Sequence, residues 1–150
     1  MTRYVTRERL HVDRIATAWA IHRFVDRDAA FEFVPRTGAL PEGAIPFDMR
    51  GAELGHRGGR CTFETLLEVH ELRDPALQRM GLIIRGADLP DDPDAPPESP
   101  GVAAIFDGIR SGHATDRERL RAGEQVCDAL YRFCSGEGPA RGGPAPSGDG

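Results

Sequence analysis

Asp13-Arg14-Ile15-Ala16-Thr17-Ala18-Trp19-Ala20-Ile21-His22-Arg23-Phe24-Val25 is the segment from which the architecture can be worked out. Asp13 reads as a helix N-cap, and the helix it opens runs from Arg14 to Val25. Ile15, Ala18, Trp19 and Phe24, with Ile21 and Val25 close by, make a broad apolar stripe suited to wedging against a sheet. Trp19 reads as a core anchor and His22 as a partly buried packing residue. Strand candidates lie on either side. Arg3 to Thr6 carries Tyr4-Val5, and Ala29 to Val34 alternates, is rich in Phe and Val, and is ended by Pro35. Ile45-Pro46-Phe47-Asp48 reads as a short edge strand, because Pro46 argues against a central place.

Further along, Phe63 to Leu72 reads as a helix with Phe63, Leu66, Leu67 and His70 on one side. Asp74-Pro75 is a second start, a cap followed by proline at the first helical position. The helix it opens carries Leu77, Met80, Leu82, Ile83 and Ile84 toward Arg85-Gly86. Asp88 to Pro100 holds five acids and five prolines and reads as an extended acidic loop, usually just solvated, with a lid carrying metal-binding acids as the alternative reading. Gly101 to Ile109 is apolar and helix-compatible, and Thr115-Asp116-Arg117-Glu118 fits a capping box before a helix bearing Leu120, Cys127, Leu130, Tyr131 and Cys134. Gly136 to Gly150 is expected to be disordered. The fold class that emerges is α+β and α-rich. A single compact domain over residues 1–135 holds four or five helices and a small sheet of short strands.

With 150 residues the chain can bury a core without metal or disulfide staples. A net charge of −5 argues against a general nucleic-acid binder. All 19 basic residues are arginine, a bias that suits a GC-rich genome and carries little functional weight. Cys127 and Cys134 sit seven residues apart on one helix, a rise of about 10 Å, beyond the roughly 7 Å that a disulfide spans. Cysteine usage of this kind, with no apolar leader or membrane-length segment, points to the cytoplasm and away from a membrane. The oligomeric state, including a homo-oligomer, stays open.

The chemistry concentrates in Gly51-Ala52-Glu53-Leu54-Gly55-His56-Arg57-Gly58-Gly59-Arg60-Cys61-Thr62-Phe63-Glu64, just before a helix. Glycines let main-chain N–H groups turn inward, and the helix start adds free N–H groups. Arg57, Gly58, Gly59 and Arg60 therefore suit an oxyanion, against the plainer reading of a tight turn whose arginines pair with nearby acids. Glu53, His56 and Glu64, joined by Asp88 from another segment, suit one divalent ion (Fe, Mn or Zn). Cys61, at a helix start beside Arg60, is expected to have a lowered pKa and is a candidate catalytic thiolate; the alternative is a small buried residue. Asp13 and Arg14, although near this loop in prospect, read locally as a cap and a surface charge.

Val12 to Asp26, Phe47-Asp48, Gly51 to Glu64, Arg85-Gly86-Ala87-Asp88 and Asp128 to Cys134 resemble the chromate-resistance family, in the manner of the ChrB C-terminal domain, over roughly residues 3–135. The resemblance implies a part in sensing chromate within a resistance operon, with chromate as the small-anion partner. In fuller members a helix-turn-helix region precedes this domain. The resemblance here begins at residue 3, so direct DNA binding is not expected of this chain. Two functions stand beside each other at this point. One is a module that binds or senses chromate through the Glu53–Glu64 loop; the other is a small metal-dependent enzyme using the same loop plus Asp88.

Overall fold

The computed structural model describes residues 1–136; the tail expected to be disordered lies outside the described residues apart from Gly136. Three strands form one parallel sheet: β1 (Arg3–Arg7), β2 (Ala30–Val34) and β3 (Ile45–Pro46), in the order β2-β1-β3. Tyr4 pairs with Phe31 on one side and Ile45 on the other, so β1 is the buried centre. Pro46 lies on the edge strand, where its missing N–H costs no ladder bond. Tyr4, Phe31 and Phe47 pack their rings together with centroids 5.8–6.3 Å apart.

Among the described residues there are five α-helices. They are α1 (Val12–Ala20), α2 (Thr62–Val69), α3 (Pro75–Asp88), α4 (Ser99–Gly112) and α5 (Asp116–Ser135). The chain is thus helix-rich α+β, as expected. Helix α1 is the core element: Val12, Ile15, Ala16 and Ala20 are fully buried, and it packs on α2, α3 and α5. Gly123 makes the α1–α5 approach possible, because a Cβ there would stand 2.4 Å from Ile15 Cγ2. Trp19 is a core anchor that also donates its indole N–H to Asp128 at 2.8 Å. The expected α-helix to Val25 changes at Ile21 into a π-helical turn, Ile21–Val25. Within it His22 is held on both ring nitrogens, by Glu124 at 2.7 Å and the Ala29 carbonyl at 3.1 Å.

Two sequence expectations need correction. Asp13 is not the cap of α1: His11 occupies that place, and the Asp13 carboxylate serves a different helix. Asp88 does not open a loop but closes α3, whose last turn is docked by Gly86 against Ser99 and Ala95. Asp74 accepts the Ala76 N–H with Pro75 at the first position, and the Thr115–Glu118 capping box opens α5. No helix among the described residues is long and apolar enough to cross a membrane.

Candidate metal centre

Parallel strands send their chains out at one end, and in the order β2-β1-β3 the connectivity switches sides at β1. A crevice opens at such a switch in connectivity, and in α/β sheets it is the usual ligand position. Asp13 follows β1 and Asp48 follows β3, so both stand at that end. Two further contributors close in on them: His56, from the loop before α2, and Asp88, from the end of α3.

Asp13 is the most tightly built member. Its side chain is 1% exposed. Oδ1 accepts the Phe63 N–H and Oδ2 the Thr62 N–H, each at 2.9 Å. These are free N–H groups of the first turn of α2, so a carboxylate from α1 satisfies the positive end of another helix. Asp48 has φ 50°, a left-handed conformation that Asp tolerates better than most residues. It is held there by three groups. Its N–H donates to the Leu54 carbonyl at 2.7 Å, Thr62 Oγ1 donates to its Oδ1 at 2.8 Å, and Arg14 Nε meets its Oδ2 at 3.0 Å.

His56 joins the set through Nε2, which lies 3.2 Å from Asp13 Oδ2, 3.4 Å from Asp88 Oδ2 and 3.6 Å from Asp48 Oδ1. One ring nitrogen carries one proton, so it cannot bond three carboxylates at once. Ligand atoms of Asp13, His56 and Asp88 all fall within 4.8 Å of one another. The His56 side chain is 45% exposed and borders a cavity of about 320 Å³ shared with Asp48, Arg50 and Gly55. The cluster therefore opens to solvent at His56 and Asp48.

With every carboxyl ionised, the charges in this cluster do not balance. Three carboxylates face one imidazole and one guanidinium. Hydrogen bonds to Asp13 and Asp48 push His56 up to about 10, against its partial burial, so it is an imidazolium at neutral pH. Burial, then the charges of Asp13 and Asp48, push Asp88 up to about 7. Burial also raises Asp13, although His56 and the two α2 N–H groups pull the other way. Asp48 is held below the usual carboxylate range, because His56, Thr62 and Arg14 outweigh the effect of its burial. An upward shift at two of three neighbouring carboxyls is the mark of surplus negative charge in a desolvated place.

Other residues singled out in the sequence lie elsewhere. The Glu53 side chain is exposed, and its carbonyl accepts from Arg57 Nη2 at 3.1 Å. Glu64 accepts the Cys61 N–H at 3.1 Å and pairs with Arg85 Nη1 at 3.4 Å; neither Glu53 nor Glu64 joins the cluster. Arg57 and Arg60 bond each other's main chain across a turn in which Gly58 and Gly59 have φ 51° and 83°. Both guanidinium groups lean on Glu68, at 3.9 and 2.8 Å. Cys61 overturns the expectation of a lowered pKa. The thiol is fully buried, and burial together with the charges of Asp13, Glu64 and Asp88 pushes it far upward, overcoming the helix start. It is the small buried residue of the alternative reading.

Asp13 and Asp48 are the members that local reading passed over. The one available signal was their place in the long stretches that carry the family resemblance, Val12 to Asp26 and Phe47-Asp48.

Comparison with known proteins agrees with those stretches. The family described as "ChrB, C-terminal domain" matches residues 4–134. Protein ChrB of Cupriavidus metallidurans is 37% identical over 133 residues, covering 88% of this chain and 40% of that protein. The chain thus spans well under half the length of this curated relative. No solved structure matches.

Proposed function

The chain belongs to the family of the ChrB C-terminal domain, and on that premise we propose that it works by holding one divalent metal ion between Asp13, His56 and Asp88, with Asp48 beside them. The observation that carries the reading is the convergence of three carboxylates on a single imidazole nitrogen at 3.2–3.6 Å, from four separate segments. With His56 neutral and all three carboxyls ionised, the cluster would carry two negative charges beyond Arg14, which a dication would neutralise. Binding would require His56 neutral and Asp88 ionised, so an ion held there would compete with protons on both groups. Two carboxylates and one imidazole are hard-to-borderline donors, a set that suits manganese, ferrous iron or zinc.

Three protein ligands with an opening beside His56 leave positions on the ion for a small molecule, the arrangement of a reactive rather than a structural site. A small metal-dependent enzyme is the form of the proposal that this openness favours. The family's link to chromate resistance enters through the same ion, whose charge would attract an oxyanion such as chromate. An oxyanion site at Arg57, Gly58, Gly59 and Arg60 has less behind it, because Glu68 already engages both guanidinium groups.

Elemental analysis of the protein purified from metal-supplemented medium tests the proposal. Wild type should carry close to one equivalent of manganese, iron or zinc, and His56→Ala should carry almost none. Background metal in wild type, or equal loading in both proteins, would refute it.

A further inference from the structure

Arg7, Arg14, Arg36 and Arg50, with Met49, line a concavity of about 500 Å³ beside the carboxylate cluster. Among the described residues no acidic side chain lines it, in a chain whose net charge is −5. The four arginines come from β1, from the start of α1, from the turn after β2 and from the segment after β3, so the fold gathers them from all around the sheet's exit end.

Their partners set their roles. Arg7 Nη1 donates to the Pro35 and Gly38 carbonyls at 2.7 and 2.8 Å, which fixes the turn carrying Arg36. Those acceptors are neutral, so the charge of Arg7 is not cancelled. Arg14 is neutralised by Asp48 and also reaches the Arg7 carbonyl at 3.5 Å. Arg36 and Arg50 are exposed and have no hydrogen bond or ion pair among the described residues. Three uncompensated guanidinium groups around one hollow repel each other and are kept together only by the fold. Such an arrangement raises the local concentration of anions, and guanidinium forks match tetrahedral oxyanions.

We propose that this concavity is a second site, which binds the phosphate-like dianionic group of a small molecule through Arg7, Arg36 and Arg50. At about 500 Å³ it is the size of a small-molecule pocket rather than of a bare ion. Met49 and Arg50 also line the cavity at His56, so a ligand anchored by its anionic end can extend toward the carboxylate cluster. The site uses none of the three residues placed on the metal and stands without that assignment.

Calorimetric titration of the full chain with inorganic phosphate and with phenyl phosphate, in chelator and at constant ionic strength, tests this. Both should bind the wild type with one equivalent, and chloride should not compete at equal ionic strength. Each charge-assisted contact is worth roughly tenfold in affinity or more, so the double variant R36A/R50A should lose about a hundredfold. R36K/R50K should recover part of that loss. Circular dichroism and metal loading of both variants should match wild type, because the two side chains are exposed and off the metal ligands. Tighter binding of phenyl phosphate marks the anion as the handle of a larger molecule; equal binding marks the free oxyanion as the ligand. Unchanged phosphate affinity in R36A/R50A, or binding that appears only when metal is present, would overturn the proposal.

Discussion

Asp13→Asn isolates what the buried carboxylate does for the fold. In the wild type two oxygens take two N–H groups of α2 at 2.9 Å, and one of them also faces His56 at 3.2 Å. An asparagine of the same shape has one acceptor. Its amide nitrogen must then point N–H at N–H, toward Thr62 or Phe63, and the imidazolium loses its nearest counter-ion. A hydrogen bond to a charged group contributes roughly 1.5–3 kcal/mol. The variant no longer buries a charge, which offsets part of the loss and leaves a cost of about 2 kcal/mol. For a domain of this size that is a fall in Tm of roughly 4–8 °C. Thermal unfolding of the chelator-treated protein at pH 7, followed by far-ultraviolet circular dichroism, reads it directly. Asp13→Ala, which orphans both N–H groups, should fall further. A Tm for Asp13→Asn within about 1 °C of wild type would show that the carboxylate does not hold α2, and the reasoning would fail.

Three other expectations follow from the same structure. Metal-free protein should lose stability as pH rises: Asp88 is raised from 3.8 to about 7 and His56 from 6.5 to about 10. The contribution of Asp88 is complete below pH 3.8 and gone above about 7, and that of His56 is complete below 6.5 and gone above about 10. Tm measured from pH 6 to 10 should therefore decline, and a His56→Gln, Asp88→Asn double variant should show a flatter curve; an equal slope in the two proteins would count against the cluster. Gly123→Ala would press a methyl to within 2.4 Å of Ile15 Cγ2 and cost about 1–3 kcal/mol in urea unfolding, whereas a neutral effect would mean that α1 and α5 can separate freely. Cys61, Cys127 and Cys134 are all buried and free, so Ellman's reagent should find no fast thiol in the native protein and three after denaturation; rapid labelling of Cys61 at pH 7 would contradict its placement.

What the sequence revealed was what short-range chemistry encodes. Asp74-Pro75 and Thr115 with Glu118 mark helix starts through bonds made within one turn, and they stand where expected. Pro46 put its strand at the sheet edge for a reason that needs no tertiary knowledge. Asp13 failed the same kind of reading because its partners, Thr62 and Phe63, lie 49 and 50 residues away. A helix-start aspartate looks alike whether it caps its own helix or another. Asp88 was read into a loop because proline and acid crowd the residues after it, while α3, with Gly86 packed on Ser99, runs two residues beyond Gly86. His56 and Asp88 drew notice as ligand types, but the carboxylates that complete the cluster, Asp13 and Asp48, needed the parallel sheet to bring two strand ends together.

The central assignment can be tested most directly by crystals of the protein grown with manganese and measured above the manganese absorption edge. The account predicts one strong anomalous peak in contact with Asp13 Oδ2, His56 Nε2 and Asp88 Oδ2, at the roughly 2.0–2.3 Å expected for oxygen and nitrogen ligands. An empty cluster with His56 still resting on the three carboxylates, or a peak at a different set of residues, would contradict it.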